Sequence, residues 1–364
     1  MIASKCFKND WVMSVQAEMP HADKLTIERS IHALALLEHL GKSGLHFVFK
    51  GGTCMMLHLK DVRRLSVDID IVCTEGMTKI SPVLEEISHR DPFKNWDEDK
   101  RNPDRRPKRK HFRFFYNSLD SKNPEPFVSL DVVLESVPHP FTERKPVLAS
   151  FIETTSPPGV LVPTLDGLLG DKLTAFAPET VGIRYHSKVS QQIIKQMFDI
   201  GELFQLAADL DKIRRAHETS FVAENSFRRN QYQLKQALED SLVAAYRVSQ
   251  LNLTGERQWD AKKRGILLAG IGAINVTLVR ETYTVEDARI SASRAGLLAA
   301  FLRIGRSGQL ARVRFVPTRA HELPHSLTGQ YAVFNPLREI ATEAFHNWHQ
   351  VQILEAEMGS AFIK

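Results

Sequence analysis

The spacing of hydrophobic positions changes along this chain of 364 residues. Before about residue 160, alternating apolar and polar positions predict β-strands at 65–72 and 127–134, and an apolar run at 46–49 predicts another. After about residue 160, apolar positions recur every three or four residues, which is typical of helices. The longest helical segments are 231–251, 260–280, 285–304 and 336–357. We therefore expect an α/β (α+β) core followed by an all-helical C-terminal domain.

The most informative segment begins where the apolar run at 46–49 ends. Gly51 and Gly52 follow it, and Thr53 opens a predicted helix over 53–59. Glycines at a strand-to-helix turn let a ligand approach the backbone, and the N–H groups of the first helical turn attract an anion. The turn therefore predicts a triphosphate site, although structural Gly-Gly turns are common.

The strand at 65–72 presents a polar face. Ser66, Asp68 and Asp70 lie on this face because side chains alternate along a strand. Carboxylates two positions apart lie roughly 7 Å from each other, close enough to bind one or two hard cations. Arg63 and Arg64, just upstream, can offset this charge or contact a phosphate. A solvated strand with no catalytic role is the alternative, but the strand, turn, helix, strand order favours a nucleotide site.

The composition of the chain bears on its expected partner and compartment. The formal net charge of +5 mildly favours a polyanionic partner. Three cysteines without paired or zinc-like spacing suit a reducing compartment. The first residues lack the apolar core of a signal peptide, and the longest apolar run, 265–279, is shorter than the roughly 20 residues that span a bilayer. We therefore expect a cytoplasmic protein that does not enter a membrane.

Three motifs in order resemble the AbiEii/AbiGii toxin group of nucleotidyltransferases, which are relatives of DNA polymerase β. The first covers the glycine turn and aspartate strand, at Lys50, Gly51, Gly52, Thr53, Arg64, Ser66, Asp68 and Asp70. Residues 168–178 are similar to the lysine motif of that group, and residues 195–203 to its closing aspartate motif. The resemblance extends over roughly residues 30–205 and implies a core with a mixed β-sheet. The predicted domains are a core with N-terminal helices over 1–160, helices with the later motifs over 161–205, and a helical domain over 206–364.

The resemblance implies a role for each matching residue. The turn, with Arg64 and Ser66, would hold nucleotide phosphates. Asp68 and Asp70 would bind Mg²⁺, with Mn²⁺ as the alternative metal. Lys172 would contact the phosphates, and Asp199 would complete the site from a helix.

The functional interpretation of the two later motifs depends on the resemblance more than that of the first motif does. Ile193 and Gln196 stand where the family often has a basic and an acidic residue. Without the family pattern, Lys172 and Asp199 would be interpreted as solvated residues beside apolar helix stripes.

Polymerase β relatives use a third carboxylate, from a strand beside the paired aspartates, to bind metal and deprotonate the attacking hydroxyl. Asp131 is the candidate, since it shares a face with Ser129 on the predicted strand 127–134. Glu135 is an alternative for this role. Asp131 can also be a strand residue that only faces water, with no part in catalysis.

The implied activity is Mg²⁺-dependent transfer of a nucleoside monophosphate from an NTP to an acceptor. The expected acceptor is the 3′ end of tRNA. A protein acceptor and self-modification stay open. The enzyme would be the toxin of a toxin–antitoxin or phage abortive-infection system, with a cognate antitoxin as its partner. The alternative is a regulatory module that binds an NTP without transfer.

One basic segment bears on the acceptor. Residues 101–110 contain six arginines and lysines and precede the strand-like run 111–116. Such a loop can grip RNA phosphates. A solvated loop is an equal alternative, and the basic helix faces after residue 205 carry the same two explanations.

Overall fold

The computed structural model describes residues 1–100, 108–120, 125–136, 138–359 and 361–362. The chain divides into two units. The first comprises Met1–Val137, Thr142–Pro163 and Asn275–Thr282, and the second comprises Pro138–Phe141, Thr164–Ile274 and Tyr283–Lys364. Within the described residues, none of the helices combines the length and apolar character needed to span a membrane.

A mixed β-sheet organises the first unit. Its seven strands, as far as the chain is described, are β1 Val48–Lys50, β2 Asp68–Val72, β3 Phe93–Glu98, β4 Arg109–Tyr116, β5 Phe127–Val133, β6 Thr142–Pro146 and β7 Gly159–Pro163. Their spatial order is β3-β4-β5-β2-β1-β7-β6. The β1–β7 and β2–β5 pairs are parallel and the others antiparallel, so the predicted mixed sheet is confirmed.

The α-helices that the structure describes in this unit are α1 Asn9–Glu18, α2 Lys24–Lys42, α3 Gly51–His58 and α4 Met77–Ser88. Helix α2 packs against β2 and β5. On the α2 side, His32 stacks on Tyr116 of β4 with ring centroids 3.7 Å apart, and burial lowers the pKa of His32 to about 4. Buried residues of β2, β4 and β5 alternate with less buried ones, so the side chains of Asp70, His111 and Asp131 lie on the face of the sheet opposite α2.

The predicted strand over 65–72 is shorter in the structure, where β2 begins at Asp68. The preceding residues pair elsewhere. Arg64 forms a β-bridge with Leu278, and the Leu65 N–H donates to the carbonyl of Thr277 at 2.8 Å. This distant segment, Asn275–Thr282, joins the first unit for that reason, whereas the predicted division by residue number places it with the helical domain.

The second unit is helical. Its helices are α5 Leu165–Ala175, α6 Ser190–Leu206, α7 Leu210–Ser226, α8 Leu234–Ser249, α9 Ala261–Ile274, α10 Val285–Arg303, α11 Leu337–Ile340 and α12 Thr342–Met358. Helix α10 packs against α6, α8 and α12. It begins where the sequence pattern predicts, because Thr284 and Asp287 form a capping box at its N-terminus.

Two predicted helices of this unit have different bounds. The helix predicted over 260–280 ends at Ile274, because the next segment, Asn275–Thr282, belongs to the first unit. The helix predicted over 336–357 is interrupted at Ala341, whose φ of −156° is not helical. The predicted fold class, an α/β core followed by a helical region, is nevertheless confirmed.

Candidate active site

The glycine turn brings a carboxylate and a guanidinium against the start of α3. Gly51 has a φ of +85°, and a Cβ atom at this position would overlap the carboxylate of Asp70. A Cβ atom at Gly52 would lie 2.8 Å from Arg64 Nη2 and 3.0 Å from Ser66 Oγ. Both glycines are therefore needed for these groups to approach the backbone. The Lys50 side chain, at the N-cap position, makes no capping hydrogen bond.

We expect a Gly51→Ala substitution to impair nucleotidyl transfer about 10²-fold, because the added methyl group displaces Asp70 from its position. The left-handed backbone should also cost about 1–3 kcal/mol of folding free energy. Gly44→Ala is the matched control, since Gly44 has a φ of +80° but nothing within 4 Å of the added carbon. Urea denaturation should show similar losses in both variants, and transfer assays should show a loss only in Gly51→Ala. Equal transfer by the two variants would contradict the steric argument.

Internal hydrogen bonds hold the turn and the segment that leads into β2. The buried Thr53 hydroxyl donates to the carbonyl of Asp68 at 2.5 Å. Ser30 of α2 donates to the carbonyl of Ser66 at 3.1 Å, and the buried Arg64 donates to the carbonyl of Leu65 at 3.2 Å. Because the Thr53 hydroxyl is engaged here, its predicted part in phosphate binding would fall to its backbone N–H.

Strand register brings the predicted carboxylates onto one face of the sheet. In the parallel β2–β5 pair, Asp70 lies opposite Asp131 and Asp68 opposite Ser129. Residues opposite each other on paired strands project from the same face, and neighbouring strands lie about 4.8 Å apart. Glu135 lies beyond the end of β5 and does not share this row. Of the two candidates for the third carboxylate, Asp131 therefore lies beside Asp70 in the sheet and Glu135 does not.

A histidine that the motifs do not include extends this row. On β4, His111 lies opposite Asp131, and its Nδ1 is 2.6 Å from Asp131 Oδ1. The alternating pattern of 111–116 shows that His111 shares a face with Arg113 and Phe115. Nothing in that pattern identifies the strand that pairs with it, so sequence reasoning missed this contact.

The carboxylates supply the kind of oxygen donor that a hard cation prefers. Over the described ranges, no group of three or more His, Cys, Asp or Glu side chains is arranged to hold a metal ion. The predicted cation would take carboxylate oxygens from Asp68 and Asp70, and its other ligands from phosphates and water, as Mg²⁺ commonly does. Metal binding by Asp131 stays a prediction.

In the second unit, Lys172 of α5 and Asp199 of α6 form a buried ion pair. Lys172 Nζ lies 2.8 Å from Asp199 Oδ2, and the side chains are only 5% and 1% exposed. The alternative that holds without the family pattern, in which both residues are solvated, is excluded by this burial, because α5 and α6 pack against each other. Their predicted roles toward a nucleotide remain predictions.

The basic segment 101–110 is only partly described. Arg101, Arg105 and Arg106 lie outside the described residues. Lys110 forms an ion pair with Glu98 of the neighbouring strand, and Arg109 is exposed at the start of β4. The proposed grip on RNA stays a prediction.

Solved structures of known proteins align with this chain. MenT4, a nucleotidyltransferase toxin from Mycobacterium tuberculosis H37Rv, aligns with a TM-score of 0.51 and 15% identity over 94% of this chain and 98% of its own. JHP933 from Helicobacter pylori aligns with a TM-score of 0.43 and 13% identity over 77% of this chain and 94% of its own. The MenT4 alignment supports the fold.

The curated protein sequences contain no match to this chain. The family described as nucleotidyl transferase AbiEii toxin of type IV toxin–antitoxin systems does match, over residues 35–269, which is more than half of the chain. This range contains the glycine turn, the aspartate strand and both later motifs. The chain therefore belongs to the AbiEii family of nucleotidyltransferase toxins.

Proposed function

We propose that this nucleotidyltransferase moves a nucleoside monophosphate from an NTP to the 3′ end of tRNA in a Mg²⁺-dependent reaction. The observation that carries the proposal is the register of β2 and β5, which places Asp70 beside Asp131 on the face next to the glycine turn. An NTP as substrate and an antitoxin as partner agree with the type IV toxin family.

The triphosphate would bind at the start of α3. Helix N–H groups, the Arg64 guanidinium and the Ser66 hydroxyl lie around Gly52. Together they provide hydrogen-bond donors and positive charge for an anion. Lys172 would make a further phosphate contact, with Asp199 holding its ammonium group.

The chemistry is an in-line displacement at the α-phosphorus. The acceptor hydroxyl oxygen forms a bond to this phosphorus, the bond to the bridging oxygen of the β-phosphate breaks, and pyrophosphate leaves with the electron pair. Asp131 accepts the hydroxyl proton and passes it to solvent. Mg²⁺ held by Asp68 and Asp70 would offset the negative charge that develops on the phosphate oxygens.

A tRNA acceptor is supported by the net positive charge of the chain, since Lys and Arg attract phosphate backbones. A reaction that consumes NTPs and tRNA would take place in the cytoplasm. The same transfer would stop translation, which suits a role in abortive infection.

Incubation with each α-³²P-labelled NTP, Mg²⁺ and total tRNA tests the proposal. We expect label on tRNA and release of pyrophosphate with at least one NTP, and no label when EDTA is present. Label on protein would instead identify a protein acceptor or self-modification. Binding of NTPs without label or pyrophosphate under any condition would favour the alternative of a silent regulatory module.

A further inference from the structure

The contact between His111 and Asp131 is built into the sheet. Lys110 and Phe112, on either side of His111, lie opposite Val132 and Leu130 of β5, and Phe112 is buried. On its other side, the His111 carbonyl accepts a hydrogen bond from the Asp99 N–H at 2.8 Å. The backbone of His111 is thus fixed by β5 on one side and by the residue directly after β3 on the other, and its side chain contacts Asp131.

The partial burial of the pair distinguishes it from an ordinary surface contact. The His111 and Asp131 side chains are 19% and 30% exposed. His89, the residue directly after α4, and Glu85, one turn earlier, form a pair of the same chemistry at 3.1 Å, but they are 72% and 61% exposed. Solvent competes much less with the first pair than with the second.

The hydrogen bond from His111 engages one carboxylate oxygen of Asp131 and not the other. An ionised carboxylate only accepts hydrogen bonds, so Nδ1 of His111 must carry the hydrogen, whether the ring is neutral or charged. Oδ1 is occupied by this bond at 2.6 Å, and Oδ2 does not take part in it.

We propose that His111 is a positioning residue for nucleotidyl transfer: it holds Asp131 so that Oδ2 faces the acceptor hydroxyl. This inference rests on the proposed function, in which Asp131 accepts the hydroxyl proton. Groups that orient a reacting side chain in this way typically contribute 10- to 100-fold to activity, as they do around metal ligands.

Two substitutions separate the hydrogen bond from the bulk of the ring. His111→Leu removes the donor, and we expect it to lower kcat about 10- to 100-fold with little change in the KM for the NTP. In His111→Asn the side-chain amide can donate from near the position of Nδ1, so kcat should recover to within about threefold of wild type. His89→Leu breaks the comparison pair and should transfer like wild type.

A double-mutant cycle tests whether His111 acts through Asp131. Asp131→Asn should lower kcat strongly, and adding His111→Leu should lower it no further, because coupled residues are not additive. The inference is overturned if His111→Leu transfers like wild type, if His111→Asn is as impaired as His111→Leu, or if His111→Leu lowers kcat further in the Asp131→Asn background.

A spectroscopic measurement keeps the inference distinct from the proposed function. In protein with ¹⁵N-labelled histidine, we expect a hydrogen-bonded Nδ1–H resonance from His111 that is lost in Asp131→Ala, which removes the acceptor, and retained in His89→Leu. If wild-type protein transfers no label, the proposed function fails, and this resonance still decides the contact. Its absence from the wild-type spectrum would overturn the positioning of Asp131.

Discussion

An Asp70→Asn enzyme should transfer nucleotide at least about 10³-fold more slowly than wild type while remaining folded. Charge stabilisation of a phosphoryl-transfer transition state by a carboxylate-held cation is worth several kcal/mol, and each 1.36 kcal/mol changes the rate tenfold. Asp70 is placed for this role because it lies opposite Asp131 in the parallel β2–β5 pair and against the backbone of Gly51. Asparagine has nearly the same size as aspartate, so the packing against Gly51 is kept while the charge is removed.

The measurement is incorporation of labelled nucleotide as a function of Mg²⁺ concentration. Asp61→Asn is the matched control, since the Asp61 side chain is 84% exposed and lies on the connection between α3 and β2. It should show the wild-type rate and Mg²⁺ dependence. Transfer by Asp70→Asn at the wild-type rate would remove Asp70 from the proposed metal site.

Breaking the buried pair of Lys172 and Asp199 should lower the free energy of unfolding more than any other substitution proposed for this protein. Asp199→Leu leaves the Lys172 ammonium, only 5% exposed, without its charge partner in the protein interior. Breaking a buried ion pair on one side typically costs about 3–5 kcal/mol. We therefore expect a large decrease in the urea midpoint of unfolding. Circular dichroism of the helical signal measures it.

The double variant Lys172→Met with Asp199→Leu separates stability from chemistry. Replacing both charges by apolar groups of similar volume is often neutral or stabilising, so the urea midpoint should recover. Transfer should stay lost if Lys172 contacts the phosphates. Glu322→Gln, which breaks an exposed pair with Arg319 in the same unit, should change neither property. A double variant that transfers like wild type would show that the pair is structural.

Local patterns in the sequence were sufficient for part of the site. The alternation along 65–72 placed Asp68 and Asp70 on one polar face, and the glycines marked the start of α3. These features depend on backbone geometry within a few residues, which side-chain spacing reports directly. Helix periodicity likewise located most of the second unit, with errors at ends such as Ile274, where tertiary contacts intervene.

The family resemblance, and not the hydrophobic pattern, identifies Lys172 and Asp199 as candidate site residues. Their spacing on apolar helices is equally compatible with solvated side chains. The structure buries both and pairs them, because α5 and α6 pack against each other.

The sequence by itself therefore determined the fold class, the glycine turn and the two aspartates of β2, because each is set by neighbours along the chain. Only the tertiary structure decided that Asp70 lies opposite Asp131, that His111 holds Asp131, and that Asn275–Thr282 joins the first unit. Strand register and helix packing join residues that are far apart in the chain, and their partners cannot be read from local periodicity.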